Sequence, residues 1–149
     1  MPVVKAATPE AMRSLGQRIA AELQPGDLVL LIGPLGAGKT TLAQGIGEGL
    51  GISGVVSPTF VIARVHTGAR LPLVHVDAYR LSTIDEVNDL DLDASLDESV
   101  TLVEWGEGLV EGLSDDRLEV RIARSDETEQ REVELTGVGA RWAASPLLK

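Results

Sequence analysis

The sequence contains no cysteine, which excludes disulfide bonds and thiolate metal sites. Aromatic residues make up only 3% of the 149 residues, so no base-stacking platform for single-stranded nucleic acid is evident. Basic residues are also scarce: 13 Lys and Arg against 23 Asp and Glu give a formal net charge of −10. This charge opposes autonomous nucleic-acid binding, which needs basic surface to neutralise phosphates. If a nucleic acid is involved, we expect a partner protein to hold it.

Long apolar runs are missing as well. No run approaches the roughly 18 residues that a membrane-spanning helix needs. The first residues do not follow the charged, apolar and small-residue order of a secretory signal. We therefore expect a cytoplasmic protein with no membrane contact. An apolar fraction of 44% is ordinary for a globular chain, and no repeat or linker divides the sequence, so we predict one domain over residues 1–149.

The most informative segment is 33–41, with the sequence GPLGAGKTT, which fits the phosphate-binding P-loop pattern G-x-x-x-x-G-K-[ST]. Its glycines let the backbone curl closely around an anion, and successive N–H groups then form a nest for phosphate oxygens. The pattern predicts that Lys39 contacts the outer phosphates and that the Thr40 hydroxyl binds Mg²⁺. The residues of this candidate nucleotide site are Gly33, Leu35, Gly36, Ala37, Gly38, Lys39, Thr40 and Thr41.

The segments on either side of the motif support this prediction. Residues 28–32 form a continuous apolar run, typical of a strand buried on both faces. Residues 41–46 can open a helix, whose N-terminus favours negative charge. We predict an α/β, P-loop NTPase-like fold, with a mixed sheet of parallel P-loop core strands, antiparallel additions and flanking helices.

Further elements follow from local patterns. Val3 and Val4 indicate a short opening strand, and Thr8-Pro9-Glu10 has the composition of a helix start. An apolar stripe at helical spacing continues that helix to Pro25-Gly26. The P-loop helix is predicted over 39–50, and close packing on the sheet is one explanation of its Gly45, Gly47 and Gly49.

The rest of the chain is mostly strand-like. Strands are predicted over 61–65, over 73–77 antiparallel to the former, and over 100–103. One or two short helices are expected over 83–96, and a terminal hairpin over 118–122 and 131–135. Between residues 81 and 116 there is no Lys or Arg, yet about half of the acidic residues lie there. This stretch is either a solvated acidic face or a docking face for a basic partner.

Two carboxylates end apolar strands, where a P-loop enzyme places the acids near its Mg²⁺. Asp77 ends one strand and Glu104 the other, and the sequence leaves open which of them contacts the metal directly. Thr59, in a Ser-Pro-Thr-Phe segment, is in position for a switch that senses the terminal phosphate, although an ordinary proline turn also fits. Trp105 is expected near the nucleotide, whereas His75 within a strand has a structural role more often than a catalytic one.

Together these motifs resemble the TsaE family, small bacterial P-loop ATPases of tRNA threonylcarbamoyladenosine synthesis, once called YjeE. The resemblance rests on GPLGAGKTT (33–41), SPTF (57–60), HVDAYRL (75–81) and LVEW (102–105), and it covers residues 8 to 122. One departure is Pro34, where the family commonly has Asp. We expect nucleotide binding to persist because later residues form most of the phosphate nest.

The resemblance implies a site and a role. Residues 36–41 would wrap the phosphates, Lys39 would contact the outer ones, and Thr40 and Glu104 would bind magnesium. Asp77 would act near the metal in water positioning or hydrolysis, residues 57–59 would form the switch, and Trp105 would lie by the nucleotide. The cofactors would be ATP and Mg²⁺. The chain would hydrolyse ATP in support of a TsaD and TsaB complex, which modifies the adenosine next to the anticodon in ANN-reading tRNAs, with tRNA held only by those partners.

Three other functions compete with this one. A small-molecule kinase would need a second substrate site and usually an arginine-rich lid, and no arginine cluster follows the P-loop. A GTPase regulator would carry an N-K-x-D-type signal, which is absent, so ATP is favoured. A non-enzymatic, nucleotide-dependent binding module remains open because slow intrinsic hydrolysis is common among P-loop switches.

Overall fold

A mixed sheet of seven strands runs through the described part of the computed structural model, residues 3–33, 38–52, 63–66, 71–77, 99–104, 116–124, 130–143 and 145–148. Two α-helices accompany it. The elements are β1 (Val3–Ala6), α1 (Pro9–Ala21), β2 (Leu28–Ile32), α2 (Lys39–Gly49), β3 (Ala63–His66), β4 (Leu73–Asp77), β5 (Val100–Glu104), β6 (Arg117–Arg124) and β7 (Arg131–Val138). Short 3₁₀ turns follow at Ala140–Trp142 and Pro146–Leu148.

The strand order is β1-β7-β6-β2-β5-β4-β3. Strand β2 pairs in parallel with both β5 and β6, and β5 pairs in parallel with β4. The pairs β1–β7, β6–β7 and β3–β4 are antiparallel. The predicted fold class is therefore confirmed: a parallel core contains the P-loop strand, and antiparallel strands extend it on both sides.

The central strand is buried on both faces, as its apolar run predicts. Leu28 and Leu30 point to one face, Val29 and Leu31 to the other, and each is at most 1% exposed. Val29 and Leu31 join a core cluster with residues of both helices and of the neighbouring strands. Burial of both faces is typical of parallel strands, whose crossovers cover the sheet on each side.

Helix α1 begins as its sequence predicts. Thr8 is extended and serves as the N-cap, its hydroxyl oxygen accepting a hydrogen bond from the Ala11 N–H at 3.1 Å, and Pro9 occupies the first turn. The side chains of Met12, Leu15 and Ile19 are at most 2% exposed and join the core cluster.

The glycines of α2 have a different partner from the one expected. A Cβ on Gly45 would overlap the backbone of Arg13, and one on Gly49 would meet the Ala20 Cβ at 2.5 Å. A Cβ on Gly16, within α1, would meet the Leu42 carbonyl oxygen at 2.6 Å. Close packing on the sheet is thus the wrong explanation for Gly45 and Gly49: they let α2 approach α1.

An exposed ion pair joins the same two helices. Arg13 donates from Nε and Nη2 to Glu48 Oε1 at 2.9 and 2.5 Å, and Gln17 donates to Oε2 at 3.0 Å. The hydrogen bond from Arg13 is the main cause that holds the pKa of Glu48 below its ordinary value.

The 3₁₀ turn Ala140–Trp142 is anchored at the beginning of β2. Arg141 donates from Nε and Nη2 to the two carboxylate oxygens of Asp27, each at 3.0 Å, and from Nη2 to the Glu22 carbonyl at 2.6 Å. Its guanidinium also lies 4.3 Å from the ring centroid of Trp142, a residue with no exposed surface. Trp142 is therefore a packing anchor, as its place in the tail suggests.

The terminal hairpin is confirmed and is longer than its alternating segments predict, since β6 and β7 have eight residues each. The predicted helices of 83–96, and residues 61–62 of the predicted third strand, lie outside the described residues. None of the helices in the described part of the chain has the length and apolar character that crossing a membrane requires.

Candidate nucleotide site

Lys39 is the first residue of α2 and is buried, with 6% of its surface exposed. Gly38 precedes it as the N-cap with φ +107°, a conformation that favours glycine. The Lys39 ammonium extends back to the end of β2, where Nζ donates a hydrogen bond to the Gly33 carbonyl oxygen at 2.7 Å. A buried ammonium is therefore held between the two ends of the P-loop, beside the N-terminus of a helix, where both charges favour an anion.

Glu104, the last residue of β5, is a second buried ionisable residue, with 4% of its surface exposed. His75 of β4 has no exposed surface, and its Nε2 lies 2.7 Å from Glu104 Oε2. Among the described residues, His75 Nδ1 is buried without a hydrogen-bond partner. This favours a proton on Nε2, donated to the carboxylate, because a proton on Nδ1 would be a buried and unsatisfied N–H.

The parallel register brings the predicted acids to the end of the P-loop strand. Glu104 lies opposite Leu31 of β2 on one side and opposite Asp77 of β4 on the other. Gly33, at the beginning of the P-loop, follows β2 directly. The backbones of Gly33, Asp77 and Glu104 therefore share the carboxyl edge of the sheet, where open α/β folds bind their ligands.

The donor set matches what Mg²⁺ and a phosphate chain require. Mg²⁺ takes oxygen ligands from one or two carboxylates together with substrate phosphates, and Glu104 supplies a buried carboxylate at this edge. Thr40, next to Lys39, is exposed and places a hydroxyl on the first turn of α2. Within the described ranges no three His, Asp or Glu residues cluster as a metal site. A magnesium ion shared with phosphates does not need such a cluster.

The remaining predicted residues are placed less fully. Thr41 is half-buried in the first turn of α2. Other predicted residues lie outside the described part of the chain: Leu35, Gly36, Ala37, Thr59 and Trp105. Their predicted contacts with the nucleotide stay predictions.

A cavity of about 300 Å³ adjoins the P-loop helix, and the sequence motifs did not indicate it. It lies between the end of β1, the start of α1, the start of α2 and the start of β7. Its lining residues are Ala6, Ala7, Thr8, Pro9, Met12, Gly38, Thr41 and Arg131. Ala6 and Arg131 are paired across the β1–β7 ladder but are far apart in sequence, so no local pattern could have identified this cavity.

Comparison with known proteins identifies one family. The model of the family described as "Threonylcarbamoyl adenosine biosynthesis protein TsaE" matches residues 6–133. The tRNA threonylcarbamoyladenosine biosynthesis protein TsaE of Streptomyces coelicolor is 61% identical over 141 residues, which are 90% of this chain and 95% of that protein. Its namesake in Bacillus subtilis is 43% identical over 136 residues, covering 90% and 84% of the two chains. The crystal structure of Bacillus subtilis YdiB is similar in fold, with a TM-score of 0.78 and 36% identity over 95% of this chain and 88% of that one.

Proposed function

Since this chain belongs to the TsaE family of threonylcarbamoyl adenosine biosynthesis proteins, we propose that it binds ATP with Mg²⁺ and hydrolyses the ATP in support of tRNA modification. The observation that carries the proposal is the pair of buried charges at one edge of the sheet, the Lys39 ammonium and the Glu104 carboxylate. Burying charged groups is costly unless partners of opposite charge or strong hydrogen bonds compensate. Phosphate beside Lys39 and magnesium beside Glu104 add partners of opposite charge to the hydrogen bonds that these groups already make to Gly33 and His75.

Different residues of the chain contact the phosphates and the magnesium ion. Lys39 contacts the outer phosphates, and the N–H groups at the start of α2 point toward the inner ones. Thr40 and Glu104 hold the magnesium ion, with His75 fixing the orientation of the Glu104 carboxylate. Magnesium, when bound, neutralises charge that develops on the phosphates during transfer to water.

Asp77 completes the proposed reaction. Its backbone lies opposite Glu104 on the neighbouring strand, so it belongs to the same edge of the sheet. We assign to it the positioning of the attacking water near the metal, a role that P-loop NTPases give to a residue near the terminal phosphate. Thr59 and Trp105 are proposed as the phosphate-sensing and nucleotide-packing residues that the family resemblance implies.

In this proposal the partners are the TsaD and TsaB proteins. TsaD carries out the threonylcarbamoyl transfer to the adenosine next to the anticodon in ANN-reading tRNAs, and this chain is its ATP-dependent accessory. A formal net charge of −10 supports a division of labour in which the partners hold the tRNA. An acidic chain of this kind docks on a protein more readily than on the phosphate backbone of a nucleic acid.

A reconstituted modification assay tests the proposal. Purified TsaD and TsaB receive threonylcarbamoyl-adenylate and unmodified tRNA, with or without ATP and this protein. At an ATP concentration that just saturates the wild type, we expect multiple turnovers with the wild type and far fewer with Lys39→Ala, because loss of a hydrogen-bonding charge weakens ATP binding by about 10- to 100-fold. Lys5→Ala is the matched control, since Lys5 is an exposed lysine on β1.

Each result separates one part of the proposal from another. If the wild type binds ATP but leaves turnover unchanged, the nucleotide site stands and the pathway assignment is wrong. If Lys39→Ala binds ATP as tightly as the wild type, the P-loop assignment itself is wrong.

A further inference from the structure

We propose that Gly16 of α1 and Gly45 of α2 are positioning residues for the proposed nucleotide site. The close contact that they allow between the two helices fixes the N-terminus of α2, and with it Lys39, relative to the end of β2. This inference rests on the proposed ATP binding and adds two residues that lie outside the phosphate-binding motif.

The contact between the two helices is made by backbone atoms. A Cβ on Gly45 would overlap the Arg13 carbonyl oxygen and lie 2.8 Å from the Arg13 Cα. A Cβ on Gly16 would lie 2.6 Å from the Leu42 carbonyl oxygen and 2.7 Å from the Ile46 nitrogen. Backbone atoms of a helix cannot rotate away as the end of a side chain can. Any side chain at either position therefore forces the helices apart.

The contact continues to the N-terminal end of α2. Gly38 is the N-cap of this helix, and Met12 Cε of α1 lies 3.3 Å from the position that a Cβ on Gly38 would take. At the other end of α2, a Cβ on Gly49 would lie 2.5 Å from the Ala20 Cβ. Met12 precedes Ala20 as Gly38 precedes Gly49, so the helices run in the same direction and α1 supports α2 along its length.

The opposite side of the proposed phosphate site does not move with α2. Strand β2 is paired with β5 and β6, which fix its end, and Gly33 follows that end directly. Lys39 Nζ reaches from the start of α2 to the Gly33 carbonyl oxygen at 2.7 Å, and a hydrogen bond keeps its strength only over a narrow range of distances. A shift of α2 away from α1 therefore moves the Lys39 ammonium and the helix N–H groups relative to the phosphates that they are proposed to contact.

Helix propensity acts against the glycines. Alanine is the best helix former and glycine one of the poorest, so Gly45→Ala strengthens α2 as an isolated helix while it separates α2 from α1. The free energy of unfolding sums these two opposing effects. Phosphate affinity depends on the place of the α2 N-terminus, so it reports the separation of the helices directly.

Isothermal titration calorimetry with Mg²⁺ tests Gly16→Ala and Gly45→Ala at a temperature where circular dichroism shows each variant folded. We expect each variant to bind ATP about tenfold more weakly than the wild type, because misplaced groups hold the phosphates poorly. Inorganic tripolyphosphate should lose the same factor, since the displaced groups contact phosphates only. Ser14→Ala places an alanine at an exposed position of α1 and is the control, with both affinities unchanged. If the glycines served stability alone, the urea midpoint would change while both affinities stayed at the wild-type values, and this result would overturn the proposal.

A methyl group moved from α1 to α2 gives a second test. Gly49→Ala places a Cβ against that of Ala20, and Ala20→Gly removes the methyl group that it meets. We expect Gly49→Ala to weaken the binding of both ligands by about threefold, less than Gly45→Ala because the overlap lies at the end of α2 farthest from Lys39. The double variant should recover the wild-type affinity.

The methyl exchange decides the matter if Gly16→Ala and Gly45→Ala do not fold. A folded Gly49→Ala variant with wild-type affinity then contradicts the proposal, as does a double variant that binds as weakly as Gly49→Ala alone. A wild-type protein that binds neither ATP nor tripolyphosphate would instead overturn the proposed ATP binding, and this inference with it.

Discussion

Buried charges stand at both ends of the P-loop strand, and the two groups are satisfied very differently. Before β2 begins, Asp27 is 5% exposed and accepts two hydrogen bonds from Arg141, both at 3.0 Å, and a third from the Gln24 N–H at 2.7 Å. Beside the other end of β2, Glu104 of β5 is 4% exposed, and among the described residues its side chain has one hydrogen-bond partner, His75.

The difference distinguishes a structural ion pair from the proposed binding site. Both oxygens of Asp27 are used, and Arg141 is fixed further by a carbonyl and by the ring of Trp142, so this group is closed. A carboxylate offers about four lone-pair positions, and among the described residues Glu104 contacts His75 alone, which leaves lone pairs for the proposed cation. Although the two carboxylates are about equally buried, their different partners predict opposite consequences for stability when one charge of each group is removed.

The largest expected effect is on stability, at the closed group. Arg141→Ala leaves the Asp27 carboxylate buried without its cation. Breaking a fully buried pair in this way costs about 3–5 kcal/mol, and we expect a smaller loss here because the Arg141 side chain is 24% exposed. Urea unfolding should show the loss as a lower midpoint, while the ATP affinity of the folded variant stays at the wild-type value. Arg18→Ala, an exposed arginine on α1, should shift the midpoint little. An Arg141→Ala variant as stable as the Arg18→Ala variant would show that the closed group contributes nothing to the fold.

The next largest expected effect is on magnesium binding, at the Glu104 carboxylate. Glu104→Gln keeps the shape of the side chain and an oxygen that accepts from His75, so stability should stay the same or rise as a buried charge is removed. The Mg²⁺ concentration that half-saturates ATP binding should rise about 10- to 100-fold, because an amide is a poorer magnesium ligand than a carboxylate. Magnesium titrations of ATP binding, followed by fluorescence or calorimetry, measure this.

Two further variants separate a metal ligand from a structural acid. Glu119→Gln changes an acid on β6, the other parallel neighbour of β2, and should leave the magnesium dependence unaltered. His75→Leu removes the donor to Glu104, and His75→Gln retains an N–H donor, so the second should recover part of the magnesium response that the first loses. If Glu104→Gln unfolds the chain at the same urea concentration as Arg141→Ala and binds magnesium normally, the contrast between the two groups is wrong.

The parts of the fold that sequence predicted correctly have short-range causes. Neighbouring residues in the sequence determine the Thr8 cap, the strand at 28–32 and the pairing of β6 with β7, which follow each other along the chain. The carboxyl ends of parallel strands meet at one edge, so the place of Glu104 beside the P-loop strand also followed from the order of apolar runs and acids.

Other features depend on pairs of residues far apart in the chain, and no local pattern encodes them. Asp27 and Arg141 are 114 positions apart, and His75 and Glu104 are 29 apart. The cavity beside the start of α2 likewise needs Arg131 opposite Ala6. The glycines of α2 show the same limit: their spacing indicated a close approach, but only the tertiary structure shows that α1 is the approaching element.

The smallest expected effect comes from an exposed ion pair, which sharpens the contrast with the buried ones. The pKa of Glu48 is lowered chiefly by its hydrogen bond to Arg13, against an opposing contribution from burial, with help from Gln17. A folded-state pKa below the unfolded value, about 4.3 for glutamate, means that this pair stabilises the fold above that pH and ceases to do so as the pH falls through the folded pKa. Glu48→Gln should therefore lower the urea midpoint slightly at pH 7, much less than Arg141→Ala, because exposed pairs are screened by water and salt.

The difference in urea midpoint between Glu48→Gln and the wild type should shrink in 1 M salt and vanish once the pH lies below the folded pKa. Glu132→Gln, at an exposed position of β7, is the control and should shift the midpoint less than Glu48→Gln at pH 7. A Glu48→Gln deficit that persists unchanged into strong acid would assign the contribution of Glu48 to packing between α1 and α2 rather than to its charge.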